Sequence, residues 1–229
     1  MKMWSPWRGC RRLSDGCKFC YIHQGDKKRG VATHQIVKLP SFDAPIAKNK
    51  NGEYKIKSGS QIFVCFQSDF LIQEADRWRA ECLDMIRERS DCNFLFLTKR
   101  IERLNFQVPD NLTVGVSIEN QNAADSRLEI LARLPIKHKI IACQPLIERI
   151  NIEKYLNNIE LVIVGGEYGQ HARPLDYDWV LDIKQQCIRQ SVPFEFRQAA
   201  THFIKGGKQY TIPYNQLAKQ AKLANINSG

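Results

Sequence analysis

The sequence has no uninterrupted apolar run approaching the roughly 18 residues that a membrane-crossing helix needs. Its N-terminus, Met1-Lys2-Met3-Trp4, has no apolar stretch of the kind that forms a secretory signal. No internal repeat or low-complexity segment is present, so a repeat architecture is not expected. His34, His138, His171 and His202 show no metal-ligand spacing among themselves. Residues 199–229 contain no Asp or Glu at all. Together these absences predict a cytoplasmic protein with no membrane partner.

What is present is enough for one core. With 229 residues, 43% of them hydrophobic, a single α/β domain over residues 1–229 is expected. The formal charge of +10 draws the chain toward polyanions whatever its fold. The basic residues concentrate in residues 22–60, with eight Lys or Arg against three acids, and in residues 199–229, with four Lys. A solvated basic surface accounts for such runs as well as a binding surface does.

From residue 61 the chain alternates short apolar runs with amphipathic segments, the pattern of repeated βα units. Strands are predicted at 61–66, 93–97, 113–116, 139–142, 161–164 and 193–196. Helical spacing appears in Trp78, Cys82 and Met85, in Ala124, Leu128 and Leu131, and in Val180, Ile183 and Cys187. A short strand before Cys10 makes a seventh. The expected fold is an α/β incomplete TIM-like barrel of about six to seven parallel strands. Residues 1–60 hold a cysteine loop and a basic insertion with turns and a hairpin, 61–198 the βα repeats, and 199–229 a basic tail with a short helix. The predicted strands end in polar groups: Gln67-Ser68-Asp69, Thr98-Lys99-Arg100, Ser117 with Glu119, Gln144, Glu167, and Arg197-Gln198. In a parallel barrel, strand C-termini are where functional groups gather.

Five of the eight cysteines (Cys65, Cys82, Cys92, Cys143 and Cys187) lie singly in apolar or helix-like segments and read as core residues. The other three, Cys10, Cys17 and Cys20, crowd into one N-terminal loop. In a reducing compartment that spacing points to a metal site rather than to disulfides. Soft thiolates select zinc or iron–sulfur clusters. With His23 the three would close a Cys3His zinc tetrahedron, and the protein would be a zinc-stabilised nucleic-acid-binding module. Without it they would hold three irons of a four-iron cluster and leave the fourth open.

Cys17-Lys18-Phe19-Cys20-Tyr21 resembles the motif of radical S-adenosylmethionine enzymes, although the first spacing is six residues rather than three. The longer pattern from Trp4, Pro6 and Gly9-Cys10 through Ser14 and Gly16-Cys17 to Cys20-Tyr21 resembles a phage-associated three-cysteine family, a domain of unknown function, that is similar to the spore photoproduct lyase branch. Further along, Ser68-Asp69, Leu97-Thr98-Lys99-Arg100, Val114 to Gln121, Val164-Gly165-Gly166-Glu167 and Ala172-Arg173-Pro174 carry the same likeness.

The resemblance implies a 4Fe-4S cluster on Cys10, Cys17 and Cys20, and S-adenosylmethionine as cofactor. It implies reductive cleavage to a 5′-deoxyadenosyl radical, an electron-donor protein, and a nucleic-acid, nucleotide or other anionic substrate. The candidates to bind the cofactor are Ser68, Asp69, Lys99, Ser117 and Glu119. Glu167, Arg173 and Arg197 are the catalytic candidates, with Glu167 and Arg173 also able to pair with each other. Trp4 and Trp7 are expected to pack beneath the loop rather than stack on a base.

Overall fold

The computed structural model describes residues 2–229. Seven short runs form strands: β1 (Lys2–Trp4), β2 (Gln61–Val64), β3 (Asn93–Thr98), β4 (Leu112–Ser117), β5 (Lys139–Cys143), β6 (Leu161–Gly165) and β7 (Phe194–Gln198). Each of the last six is four to six residues long and dominated by the β-branched, aromatic and apolar types that suit a buried sheet. The seven belong to one sheet whose order follows the chain from β1 to β7. Pairing is parallel between β1 and β2, β2 and β3, β5 and β6, and β6 and β7. A parallel sheet that adds its neighbours in chain order has barrel topology, and here the count stops one short of eight with β1 and β7 as edges. The fold is an incomplete TIM-like α/β barrel.

The crossovers differ in weight. Helices α2 (Asp76–Glu88), α3 (Gln121–Arg133) and α4 (Tyr177–Arg189) follow β2, β4 and β6, whereas the β3–β4 and β5–β6 connections contain only single 3-10 turns. The three helices bury the stripes read from the sequence, including Cys82 and Met85, Leu128 and Leu131, and Ile183 and Cys187. Asn120 caps α3 by accepting the Ala123 N–H at 2.8 Å.

The chain packs as two compact units: Met1–Leu13, Cys20–Gly115 and Ile136–His138 make the first, and Ser14–Phe19, Val116–Pro135 and Lys139–Gly229 the second. In the first, Trp4 and Trp7 are core residues, as expected. The Trp4 indole N–H donates to the Phe42 carbonyl at 2.9 Å, and Trp7 stacks on Phe70 with centroids 5.5 Å apart. The polar stretch before residue 61 contains a helix that the sequence reading did not assign, α1 (Tyr21–Lys28). It also contains the bridge Lys48–Tyr54 around the Asn49–Gly52 turn. This stretch is stapled by the buried Arg89, whose guanidinium donates to Asp91 and to the carbonyls of Pro45 and Ile56 and lies over the Tyr54 ring.

In the second unit the basic tail forms α5 (Leu217–Leu223), as expected, and also an antiparallel ribbon, His202–Lys205 with Lys208–Thr211. Its turn is Gly206-Gly207, both with positive φ (56° and 71°), the conformation of a two-residue type I′ hairpin. The ribbon continues onto Leu175–Asp176 through parallel pairing.

Candidate functional site

In the first unit the start of the cysteine loop is fixed from several directions. Gly9 has φ +95°, and a side chain there would collide with the carbonyl oxygens of Gln35 and Thr33. The Cys10 N–H donates to the Thr33 carbonyl at 2.7 Å, and the Ser68 hydroxyl donates to the Gly9 carbonyl. Cys20 immediately precedes α1, and its carbonyl accepts the Gln24 N–H at 3.1 Å. The following Tyr21 hydroxyl donates to the Phe66 carbonyl at 2.5 Å.

The centre of this arrangement is Asp69, past the C-terminal end of β2. One carboxylate oxygen accepts from the Leu71 N–H (2.9 Å) and the Thr98 hydroxyl (2.7 Å); the other accepts from the Lys99 N–H (3.1 Å) and Arg100 Nη1 (3.0 Å). Arg100 then donates through Nη2 to the Arg11 carbonyl at 2.7 Å, and Arg11 pairs with Glu74. Asp69 and Ser68, expected to contact a cofactor, are thus used to brace the cysteine loop. Lys99 enters the brace by its backbone, and its side chain stands at the end of β3. Cys65, just after β2, takes φ 63°, a left-handed value rare outside glycine, and so turns the chain toward Ser68 and Asp69. Burial, reinforced by the Asp69 charge, pushes its thiol well up, so Cys65 stays protonated and inert.

The second unit holds Cys17 in a one-turn 3-10 helix, where its N–H donates to the Ser14 carbonyl at 2.8 Å. Glu167, just beyond β6, accepts from both the backbone N–H (2.9 Å) and Nε (3.0 Å) of Arg173, and the guanidinium closes a second contact through Nη2. That Nη2 also donates to the Asp15 carbonyl at 2.8 Å, and the guanidinium lies over the Phe19 ring. The side-chain hydrogen bond to Glu167 holds the Arg173 pKa above its ordinary value. Glu167 and Arg173 are therefore brought together, and they hold the loop around Cys17. Gly166 is required by packing, since a Cβ there would lie 2.8 Å from Ala200 Cα, whereas one on Gly165 would meet the movable Gln144 side chain at 2.9 Å. The close approach allowed for a ligand is taken up by the protein itself.

Arg197 does not join Glu167 and Arg173. It forms a two-pronged pair with Glu195 on the same strand, at 3.0 and 2.9 Å. Residues two apart on a strand share a face, so this pairing is local. Glu119 is fully buried and is engaged by Arg127, which also donates to the Ser117 carbonyl at 2.7 Å. Beside this pair is a polar cavity of about 250 Å³ lined by Ser14, Asp15, Asn120, Asn122, Ser126 and Arg127, among others. Arg127, absent from the sequence candidates, lies within a helix read only for its apolar stripe, Ala124, Leu128 and Leu131.

Cys10 and Cys20 belong to the first unit and Cys17 to the second. Among the described residues, no group of three or more His, Cys, Asp or Glu is placed to hold a metal ion. A single zinc would need its ligands drawn to within about 2.3 Å of one point. The thiolates of a four-iron cluster bind different irons and are set wider apart. His23, the fourth ligand of the zinc alternative, has its pKa lowered by burial and then by Arg12, which favours neutral imidazole.

Residues 1–224 match the model of a family described as Protein of unknown function (DUF5131). The chain belongs to this family. No curated protein and no solved structure matches it. The DUF5131 match runs from β1 through α5, so the cysteine loop and the residues bracing it lie within the shared domain. No helix among the described residues of this DUF5131 chain is long and apolar enough to cross a membrane.

Cys10 and Cys20 are half-buried, whereas Cys17 and the five core cysteines are buried. In the first unit Arg8 Nη1, two residues before Cys10, is buried and has no hydrogen-bond partner among the described residues.

Proposed function

We propose that this DUF5131 protein is a radical S-adenosylmethionine-type enzyme. Cys10, Cys17 and Cys20 are the thiolate ligands of a 4Fe-4S cluster, and the substrate is a nucleic acid or a nucleotide-like molecule. The observation that carries this reading is the buried, unpartnered Nη1 of Arg8, two residues before Cys10 in the chain. A buried donor left unsatisfied costs about 1–3 kcal/mol, and a thiolate-ligated cluster of net negative charge would relieve that cost. The three-cysteine spacing and the parallel strand order with polar C-terminal ends support the same reading.

When bound, the cluster and S-adenosylmethionine together supply a 5′-deoxyadenosyl radical for hydrogen abstraction. The chain's own residues position and tune. Arg8 offers its free N–H to a ligand sulfur. Asp69, Arg100 and Ser68 hold the Cys10 side of the loop, while Glu167 and Arg173 hold the backbone beside Cys17. Lys99 is the candidate cation for the methionyl carboxylate, and Ser117 is a candidate for the ribose. Glu119 contributes by fixing Arg127 at the polar cavity.

The test is anaerobic reconstitution with iron and sulfide, followed by absorption and electron paramagnetic resonance spectra with and without S-adenosylmethionine, in wild type and Cys17→Ala. The expected result is a brown protein whose reduced signal shifts on adding S-adenosylmethionine, with that shift lost in the variant. A colourless protein carrying stoichiometric zinc would overturn the proposal in favour of the Cys10, Cys17, Cys20 and His23 set.

A further inference from the structure

We infer that the C-terminal ribbon and the helix after it form a surface for single-stranded nucleic acid, with its lysines set for phosphates and two tyrosines presented to bases. Three observations on one continuous segment lead there. First, residues 199–229 contain four lysines and no acid, and Lys205, Lys208, Lys219 and Lys222 are all exposed. Second, the outer strand Lys208–Thr211 is exposed along its whole length and is the edge of its three-stranded sheet. Third, the exposed large side chains here include Tyr210 at 49% and Tyr214 at 68%.

The pairing register explains why these groups act together. Phe203 lies opposite Tyr210, and Lys205 opposite Lys208, so the four share one face of the ribbon. Phe203 anchors that face by packing on Tyr177 and Phe196, with ring centroids 5.7 and 6.3 Å away, and Lys205 lies over the Tyr177 ring. Tyr210 and Lys208, on the outer strand, remain exposed on that same face. Tyr214, beyond the ribbon, is supported by the Tyr168 ring at 4.8 Å. Helix α5 buries Leu217 and Ala221 and leaves Lys219 and Lys222 outward.

Point charges at intervals with amphipathic rings between them suit a flexible polyanion whose bases are free to stack. A duplex keeps its bases in its own stack and has no use for the tyrosines. This surface deepens the proposed reading by giving the substrate class a location, yet it needs neither cluster nor cofactor.

The experiment therefore uses the full chain with Cys10, Cys17 and Cys20 all replaced by Ser, so that a failed cluster and a failed surface are told apart. Fluorescence anisotropy follows binding of a labelled oligothymidylate over a range of salt concentrations. Binding should weaken as salt rises. Lys208→Glu, Lys219→Glu and Lys222→Glu combined should reduce the slope of log affinity against log salt by about 2, at about 0.7 per phosphate contact. Tyr210→Ala should weaken binding about tenfold and leave the slope unchanged, as loss of one stacked base would. Thermal melts confirm that each variant is folded, and Lys208→Gln alone, at the exposed start of the outer strand, provides a milder second variant. Absence of binding at low salt would overturn the inference. So would equal competition by polyglutamate, or binding only to phosphatidylserine vesicles, which would make the surface a general anion or membrane contact.

Discussion

Two carboxylate–arginine pairs secure the cysteine loop, one in each compact unit, and they differ in construction. In the first unit Asp69 accepts four hydrogen bonds from four different residues, and its arginine partner, Arg100, is nearly as buried as Asp69 itself. In the second, Arg173 alone supplies the side-chain contacts of Glu167, and its own side chain is 24% exposed. Each arginine ends on a backbone carbonyl of the loop, Arg11 in one case and Asp15 in the other. The first is a cross-linked joint that ties β2 to β3. The second is a single tether. Cys10 therefore has the more rigid mount, and the turn carrying Cys17 the more yielding one.

The strongest test of this contrast is Asp69→Ala. It leaves Arg100 buried without its counter-charge and strands three further donors, so a loss of about 3–5 kcal/mol is expected from urea unfolding. If the loss is below about 1 kcal/mol, the joint is not rigid and the comparison fails. Next in size is Gly166→Ala, whose new methyl would press against Ala200. Overpacking of this kind costs about 1–3 kcal/mol, and Ala200→Gly in the same chain should recover part of it. Third is Glu167→Gln, which keeps the shape of the tether and removes its charge. With Arg173 part-exposed, about 1 kcal/mol or less of stability is expected to go. Alkylation of Cys17 followed by mass spectrometry should nevertheless quicken, because Arg173, without its counter-charge, holds the Asp15 carbonyl less firmly. Unchanged labelling would mean that the tether does not restrain the turn.

The frame of this structure was legible in the sequence because apolar periodicity records burial. All six predicted strands from residue 61 onward are present, with ends moved by at most two residues, and the helical stripes face inward. The ribbon at His202–Thr211 was missed for the converse reason: its outer strand is exposed at every residue, so no alternation marks it. Only Gly206-Gly207 pointed to a turn. At the site, residue identity was easier to read than residue use. Ser68, Asp69, Glu119 and Glu167 were identified as polar groups at strand ends and Arg173 as a candidate beyond Glu167, and the structure spends much of their bonding capacity on one another and on the loop. A sequence shows that a carboxylate follows a strand. It does not show that Thr98, Lys99 and Arg100, thirty residues on, will claim its oxygens.

The smallest expected effect concerns the outer end of the first brace, where Arg11 meets Glu74. Burial raises the Glu74 pKa, but the hydrogen bond and charge of Arg11 outweigh it and leave the carboxyl below its ordinary value. A carboxylate with a depressed folded pKa stabilises the fold above its unfolded value, near 4.5, and that contribution fades as the pH falls through the lower folded value. Arg173 behaves differently. Its pKa is raised, so its contribution persists until strongly alkaline pH and does not respond to acid. Acidification therefore acts on the Glu74 end of the first brace and leaves the Arg173 charge in place. Arg11 is well exposed and Glu74 about a third exposed, so Glu74→Gln should cost no more than about 0.5 kcal/mol at neutral pH. Below pH 4 the difference from wild type should shrink toward zero in melts run across the acid range. A gap that persists there would assign the Glu74 contribution to packing rather than charge, and the rigidity of the first brace would then rest on Asp69 alone.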